Sequence, residues 1–512
     1  MSKDVEKKLL LKKLREKIDR EQNMKSPRFC ENDSKHVIHG SNIGAYIRDL
    51  EVRYKLELSV RVEKMKPKIL EFAPDDAGNI EFFVEIFGKY VKYNCEEQCF
   101  YIWNGRCWVP DIKKIVQLWI QTAMKARRDY TLQALGSKER KNTSDELVRH
   151  VRKCCNQTSI RAILEGLESV LACNASIFDA HSYLANVLNG TIDLRTGKIK
   201  KHDYRDYISK LIPVVYDPEA KATKFEEFLI DTFAEKELIK YIKRFLGYCL
   251  TGETKEQVIH LCVGNGANGK STLISLLRYI MGDYATVIPS KVLTSVERAG
   301  APSSEIAQLP HKRLVCCSEL NCTDVLNEGK IKIMSSGETL SARQLYKLAF
   351  TFDPEFKLLI DTNYLPIITG TDHGIWRRIR VIPFEYTVSK NKLNKNLLNE
   401  LKQERSGVLA FLVKGAMKYY ADGLGSCEAV EKATKKYRKS QDTLGSFIEA
   451  CIKEEKGQEV RARILYEAYV DFCSDNFLTA MSETKFGKDF AARGYKRGKD
   501  KISRKYLDIK LK

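Results

Sequence analysis

The 512-residue chain carries 87 Lys and Arg against 67 Asp and Glu, a formal net charge of +20, with 43% hydrophobic residues. A chain of this length holds roughly two to four domains, each able to bury its own core. The charge excess favours a polyanionic partner, nucleic acid first, over a merely solvated lysine-rich surface. No stretch approaches the roughly 18 uncharged apolar residues of a membrane span, so no membrane role is expected.

The first residues, MSKDVEKKLLLKKLREKIDR, lack the uninterrupted apolar core of a secretory signal. The 15 cysteines, among them Cys249, Cys262, Cys316 and Cys317, are scattered through apolar segments without paired C-x-x-C zinc spacing. They read as reduced, mostly buried thiols of a cytosolic protein.

In chain order, residues 1–90 form a helical accessory region, with KSPRFCENDSKH as a linker and FAPDDAGN as a turn. Residues 91–223 form a mixed domain. CFYIWNGRCWVPD places a hairpin at Asn104-Gly105, helical patterns dominate 111–170, and LNGTIDLRTGKIKKHDYRDYISKLIPVVYDP alternates extended runs with Asn-Gly, Thr-Gly and Asp-Pro breaks. An amphipathic helix spans 224–250, a nucleotide module 251–388, and helical patterns run on over 389–456. The last unit, 436–512, is small and basic, and 389–435 is a helical extension.

Residues 258–280, VIHLCVGNGANGKSTLISLLRYI, carry the sharpest signal. A strand-type run precedes G-x-x-x-x-G-K-S, and a helical pattern follows, the context a phosphate-binding loop requires. Gly264, Gly266 and Gly269 let backbone N–H groups close on phosphate oxygens, and a helix starting near Lys270 turns its positive end to them. Asn265, Ala267, Asn268 and Thr272 complete the loop. Lys270 would reach the β- and γ-phosphates of ATP, and the Ser271 hydroxyl would hold Mg²⁺.

HKRLVCCSEL supplies a second strand, Leu314 to Cys317, ending at Ser318-Glu319. Glu319 can polarise the attacking water and help order Mg²⁺. FKLLIDTNYLP supplies a third, ending at Asn363. Its amide either contacts the γ-phosphate or serves the turn before Pro366. In DHGIWRRIRVIPF, Arg377, Arg378 and Arg380 flank a strand. One of them can reach the γ-phosphate of a neighbouring subunit, but nothing local selects it. In NEGKIKIMSSGETLSARQLYKLAF, Lys330, Lys332, Arg343 and Lys347 flank a Ser-Ser-Gly-Glu turn. They form either a hairpin that grips a DNA backbone or a solvated basic one.

The order GNGANGKST, HKRLVCCSE, KIKIMSSGETLSAR, LLIDTNYLP, WRRIRVIPF resembles a superfamily 3 helicase, nearest to the viral, phage and plasmid primase–helicase family of poxvirus and phage-satellite type. Similarity extends over about residues 90–512. FYIWNGRCWVPD and NGTIDLRTGKIKKHDYRDYISKLIPVVYDPEA resemble the domain before the helicase. FLGYCLTGETKEQ resembles its entry helix, and VLAFLVKGAMKYYADGL with VEKATKKYRKSQDTLGSFI resembles its C-terminal helices. The resemblance implies an α/β fold: an AAA+-like P-loop ATPase with a parallel sheet, a mixed N-terminal domain, a helical collar and a C-terminal winged helix. It implies Lys270 and Ser271 on phosphate and Mg²⁺, Glu319 as catalytic acid, Asn363 as sensor, and Lys332 and Arg343 on DNA. Arg378 matches the finger, with Arg377 second. The implied activity is ATP-dependent DNA unwinding by a homo-hexamer, with single-stranded DNA in a channel, during viral or phage replication in the host cytoplasm or a viral replication site.

Two departures stand out. The hairpin turn reads Ser336-Gly337-Glu338 where the family has Gly-Gly-Asp. Residues 1–90 are also too few for the family's polymerase domain, so one alternative is a primase–helicase with a reduced primase or one encoded separately, with a separate primase or polymerase as partner. A non-catalytic origin-binding scaffold is the other alternative, against which intact Lys270, Ser271 and Glu319 argue.

The tail gives a separate sign of DNA. RARILYEAYVDFCSDN and SETKFGKDFAARG, with Ser482 as N-cap, read as two helices, and YKRGKDKISRKYLDIKLK as a basic wing. Lys485, Lys488 and Arg493 would lie on a recognition helix, and Lys496, Arg497 and Lys499 on the wing, meeting duplex DNA.

Overall fold

The computed structural model describes residues 65–136, 144–264, 266, 268–294, 303–318, 320–321, 323–343, 349–370, 373–386, 394–476, 478–499 and 504–512. The chain divides into two compact units, one of Met1–Phe87 with Leu118–Leu164 and one of Gly88–Gln117 with Glu165–Lys512. Residues 1–64 of the expected helical accessory region, with its KSPRFCENDSKH linker, lie outside the described residues.

In the first unit, α1 (Asp76–Phe87) lies in the region expected to be helical, and its first residues fall in the FAPDDAGN stretch read as a turn. NIEFFVEIF buries Phe82, Phe83, Ile86 and Phe87 on one side, the 3.6-residue spacing of a helix. Helices α2 (Ile115–Gly136), α3 (Ser144–Lys153) and α4 (Gln157–Val170) follow. Arg127 on α2 is fully buried; its guanidinium donates to Asn79 Oδ1 at 2.6 Å, Phe72 O at 2.9 Å and Ala73 O at 2.7 Å.

The second unit opens with β1 (Val91–Asn94), β2 (Cys99–Trp103), β3 (Trp108–Pro110) and β4 (Ala172–Cys173), in the sheet order β3-β2-β1-β4. The hairpin expected at Asn104-Gly105 is present: Trp103 pairs with Trp108 across a loop in which Asn104 Oδ1 accepts from Arg106 N and Cys107 N. The Asn-Gly and Thr-Gly breaks separate β5 (Leu184–Val187), β6 (Gly190–Asp193) and β7 (Lys198–Lys200), an antiparallel meander.

The expected single helix over 224–250 is two, α5 (Thr223–Phe233) and α6 (Lys236–Leu250), broken where Ala234 adopts φ +53°. Then come β8 (Ile259–Val263), α7 (Lys270–Met281), β9 (Ala285–Ile288), β10 (Leu314–Ser318), α8 (Glu328–Ser336), β11 (Leu340–Arg343), β12 (Ala349–Phe352), β13 (Lys357–Thr362) and β14 (Ile379–Pro383). Strands β14-β8-β13-β10-β9 form one sheet in that order, every neighbouring pair parallel. Parallel pairing needs crossovers that cover both faces, and the strands are accordingly rich in buried apolar residues. Ile259, Leu261, Val315, Cys317, Leu358 and Ile360 pack on one face, and Cys262, Leu314, Cys316 and Leu359 on the other. This is the two-residue alternation of a strand.

The second of these faces is covered by α5, α6, α7 and α10, after α9 (Leu397–Gln403) and α10 (Arg405–Asp422). Gly247 of α6 lets α10 come close: a Cβ there would lie 2.0 Å from Ala416 N. Helix α11 (Glu428–Gln441) covers the first face, where Tyr437 is buried and donates to Pro366 O.

After α12 (Thr443–Cys451), residues 452–461 form β15 (Ile452–Arg461), where the sequence suggested continuing helix to 456. Helices α13 (Ala462–Asp475) and α14 (Glu483–Ala492) match the two predicted ones. Ser482 takes the N-cap place, without a side-chain hydrogen bond. A hairpin of β16 (Arg497–Lys499) and β17 (Arg504–Leu511) follows, and β15 completes the sheet β15-β17-β16. Leu444, Phe447, Leu465, Tyr469, Phe486, Phe490, Tyr506 and Ile509 form this unit's own core. Among the described residues, no helix is long and apolar enough to cross a membrane.

Candidate nucleotide site and nucleic-acid surfaces

The glycine loop joins the C-terminal end of β8 to the first turn of α7, at the edge of a parallel sheet where ligands sit. Gly269 holds φ +83° and Gly266 φ +97°. A Cβ on Gly264 would fall 2.0 Å from Asn268 Nδ2 and 2.4 Å from Phe384 O. Asn268 is itself fixed, donating to Phe384 O at 3.0 Å. Asn265 and Ala267 lie outside the described residues; Thr272, in the first turn of α7, is half-buried.

Lys270 is 4% exposed, and three oxygens converge on its ammonium: Gly264 O at 2.6 Å, Asn363 Oδ1 at 3.0 Å and Asn268 Oδ1 at 3.1 Å. Burial lowers its pKa from the ordinary lysine value, and the Asp361 carboxylate opposes that shift. The structure thus brings Asn363 to the loop lysine, which the turn reading does not require. Ser271 is exposed, and its hydroxyl donates to Asp361 Oδ2 at 3.1 Å. Asp361 is absent from the sequence-derived set. Its only sequence signal is a carboxylate closing the apolar run KLLI.

These residues fit a triphosphate. The lysine stands within reach of backbone donors at a helix N-terminus, and a hydroxyl and a carboxylate meet beside it. Among the described residues no three His, Cys, Asp or Glu side chains gather to hold a metal. A cation here would therefore be shared with phosphate oxygens and water, as Mg²⁺ commonly is. Glu319 lies outside the described residues; β10, which leads to it, ends with Ser318 in register with Asp361.

The two arginines differ. Arg378 is 8% exposed and donates to Gly374 O at 2.7 Å. Arg377 is exposed and donates to Gln257 Oε1 at 2.8 Å. Both precede β14 and adjoin the start of β8, where Ile259 N donates to Arg378 O. The five residues of β8 separate them from their own glycine loop, about 16 Å at ~3.3 Å per residue.

The basic hairpin needs correction. Lys330 and Lys332 lie on helix α8, not on a strand. The Ser336-Gly337-Glu338 turn is that helix's C-terminal end, with Gly337 at φ +77°. The apolar residues Ile331 and Met334, three apart, bury against the sheet and hold the segment helical. The hairpin is β11–β12, with Arg343 paired to Ala349 at its far end; Lys347 lies outside the described residues.

The C-terminal cations also divide. Lys485 donates to Thr369 O at 3.2 Å, and Arg493 pairs with Asp442 at the start of α12. Both residues are exposed, and Arg493 lines a cavity of about 350 Å³ together with Trp376, Arg438 and Asp489 among others. Arg497 donates to Gly487 O within its own unit. Lys488 and Lys496 are exposed, and Lys499 ends β16.

Comparison with known proteins matches residues 81–234 to a "D5 N terminal like" family and residues 439–506 to a "Poxvirus D5 protein-like" family. Residues 262–378 match a family of unknown function, DUF5906. A putative helicase of Acanthamoeba polyphaga mimivirus is 30% identical over 326 residues, 58% of this chain and 34% of that protein. Models of D5 type thus match segments on both sides of the nucleotide module, and with these relatives they support a viral primase–helicase family. A putative primase of African swine fever virus is 26% identical to this chain over 325 residues, again 58% of the chain and 34% of the relative. A putative helicase of Invertebrate iridescent virus 6 is 26% identical over 279 residues, 52% and 28% of the two chains. The chain thus spans about a third of the length of the curated relatives it matches. The apo structure of the NrS-1 C-terminal region superposes with a TM-score of 0.47 at 11% identity, over 82% of this chain and 95% of that one.

Proposed function

We propose that this chain is an ATP-driven DNA helicase serving replication of a virus or related mobile element, in the host cytoplasm or at a viral replication site. The observation that carries the reading is the meeting of Lys270 with Asn363, 93 positions apart, over a glycine loop at the C-terminal edge of a five-stranded parallel sheet. That sheet is read as an AAA+-like P-loop module. Lys270 would draw the β- and γ-phosphates to the α7 N-terminus, Asn363 would orient the γ-phosphate or the water, and Glu319 would take the water's proton. Mg²⁺, when bound, would neutralise charge developing on the phosphates.

An exposed arginine one strand length from its own loop serves catalysis only across a subunit boundary. Arg377 is therefore the arginine offered in trans, and a closed ring, a homo-hexamer, is the assembly that supplies every site with one. Arg343 on the β11–β12 hairpin and Lys332 on α8 would face single-stranded DNA in the channel. The C-terminal unit, read as a winged helix, would meet duplex DNA through Lys488, Lys496, Arg497 and Lys499.

The test is ATP hydrolysis by the purified chain with and without single-stranded DNA, together with displacement of a labelled strand from a fork. Hydrolysis without strand displacement on any substrate would refute unwinding. A second reading, priming, draws on the name of the African swine fever virus relatives. Primer synthesis by this chain alone on a DNA template would favour it. Primer synthesis only after addition of a separate polymerase would place priming in a partner.

A further inference from the structure

P-loop NTPases hold Mg²⁺ between the loop Ser or Thr and an aspartate at the end of a neighbouring strand. Strand β10 ends at Ser318, and Glu319 follows it in the sequence. The strand itself carries no carboxylate, and the proposed reading gives Glu319, next in the sequence, to the attacking water. The second carboxylate stands one strand away: Asp361 of β13 is the register partner of Ser318. Two residues earlier on each strand, Cys316 and Leu359 pack on the sheet face covered by α7. By the two-residue alternation of a strand, positions 318 and 361 share that face. There Asp361 meets the Ser271 hydroxyl at 3.1 Å, 90 positions away in sequence.

We propose that Asp361 holds the divalent cation together with Ser271, supplying from β13 the carboxylate that β10 lacks at position 318. The inference rests on the nucleotide reading above. It adds a positioning residue that no sequence motif of the loop contains. The competing explanation is that Asp361 only fixes the Ser271 rotamer. The two separate cleanly, because asparagine keeps an oxygen to accept from Ser271 and loses only the charge.

The experiment measures binding of a fluorescent ADP analogue to the full chain across a Mg²⁺ titration and in EDTA, with Mn²⁺ binding followed by electron paramagnetic resonance in the presence of ADP. Asp361→Asn is expected to raise the cation concentration required by on the order of 10–100-fold, the usual cost of losing a metal-orienting group. Its affinity in EDTA should stay within about twofold, since the contact is to the cation. Adding Ser318→Asp to Asp361→Asn should restore the Mg²⁺ dependence and the Mn²⁺ signal, because the carboxylate returns to the same face one strand over. An unchanged cation requirement in Asp361→Asn overturns the proposal and leaves Asp361 as a rotamer support. A double variant that melts like wild type but stays cation-deficient overturns the relay between strands. Wild-type chain that binds no nucleotide with or without Mg²⁺ refutes the nucleotide reading itself, a different outcome from either.

Discussion

Replacing Lys270 by methionine removes one positive charge while keeping most of the side chain's length. In the nucleotide-free chain the ammonium has three oxygen acceptors within 3.1 Å, yet its pKa is lowered, chiefly by burial. Its partners therefore do not fully repay the desolvation of the charge. Losing it should change stability by no more than about 1 kcal/mol, since the exposed Asn363 amide regains water. With nucleotide the sum differs. Two charge-assisted bonds to β- and γ-phosphate oxygens are each about 1.5–3 kcal/mol, together about 3–6 kcal/mol. That corresponds to roughly 10²–10⁴-fold in affinity. Calorimetric titration with ATP and a parallel thermal melt read both quantities. A Lys270→Met chain that binds ATP within threefold of wild type, or that loses more than about 10 °C in melting temperature, refutes the reasoning. The first result would remove the lysine from the phosphates, and the second would make it a structural cation.

Arg377→Ala should abolish hydrolysis alone and recover part of it when mixed with Lys270→Met subunits, since each spoils a different half of a shared site. Absence of recovery at every mixing ratio, with rings verified by light scattering, counts against the trans assignment. Removal of residues 443–512 should weaken duplex DNA binding and flatten its salt dependence while basal ATPase persists. The cut falls after α11 because Tyr437 belongs to the nucleotide module's core, and equal salt slopes for the two proteins would exclude the tail from duplex binding. Gly247→Val should destabilise the chain by about 3 kcal/mol or more, because even a Cβ would meet Ala416 N at 2.0 Å; a denaturant midpoint equal to wild type would show that α6 and α10 can separate at no cost. Lys357, its ammonium donating to Thr251 O, Glu253 O and Glu355 O, has its pKa pushed down by burial to about 7. The unfolded chain, titrating near 10.4, then binds more protons above pH 7, so stability gains from this group as pH rises from about 7 to 10. Lys357→Met should lose that gain, visible as a smaller alkaline rise in melting temperature than wild type shows.

The glycine loop was legible in sequence because its chemistry is local. Gly264, Gly266, Gly269, Lys270 and Ser271 sit within eight positions, and their flanks declare a strand and a helix by apolar pattern alone. The same holds for the Asn104-Gly105 hairpin and for the two helices of the C-terminal unit, each specified by residues a few positions apart. Period failed where burial overruled it. Lys330 and Lys332 looked like hairpin cations, but Ile331 and Met334 bury toward the sheet and draw the segment into α8.

Only tertiary structure could decide pairings between distant residues. It brought Asn363 to Lys270, 93 positions away. It separated buried Arg378 from exposed Arg377, neighbours that the sequence cannot rank, because exposure depends on which side of β14 the rest of the chain covers. It turned Lys485 and Arg493 toward Thr369 and Asp442, contacts spanning 116 and 51 positions. And it set Asp361 beside Ser271, because register between parallel strands is fixed by the packing of both sheet faces and is written in neither strand by itself.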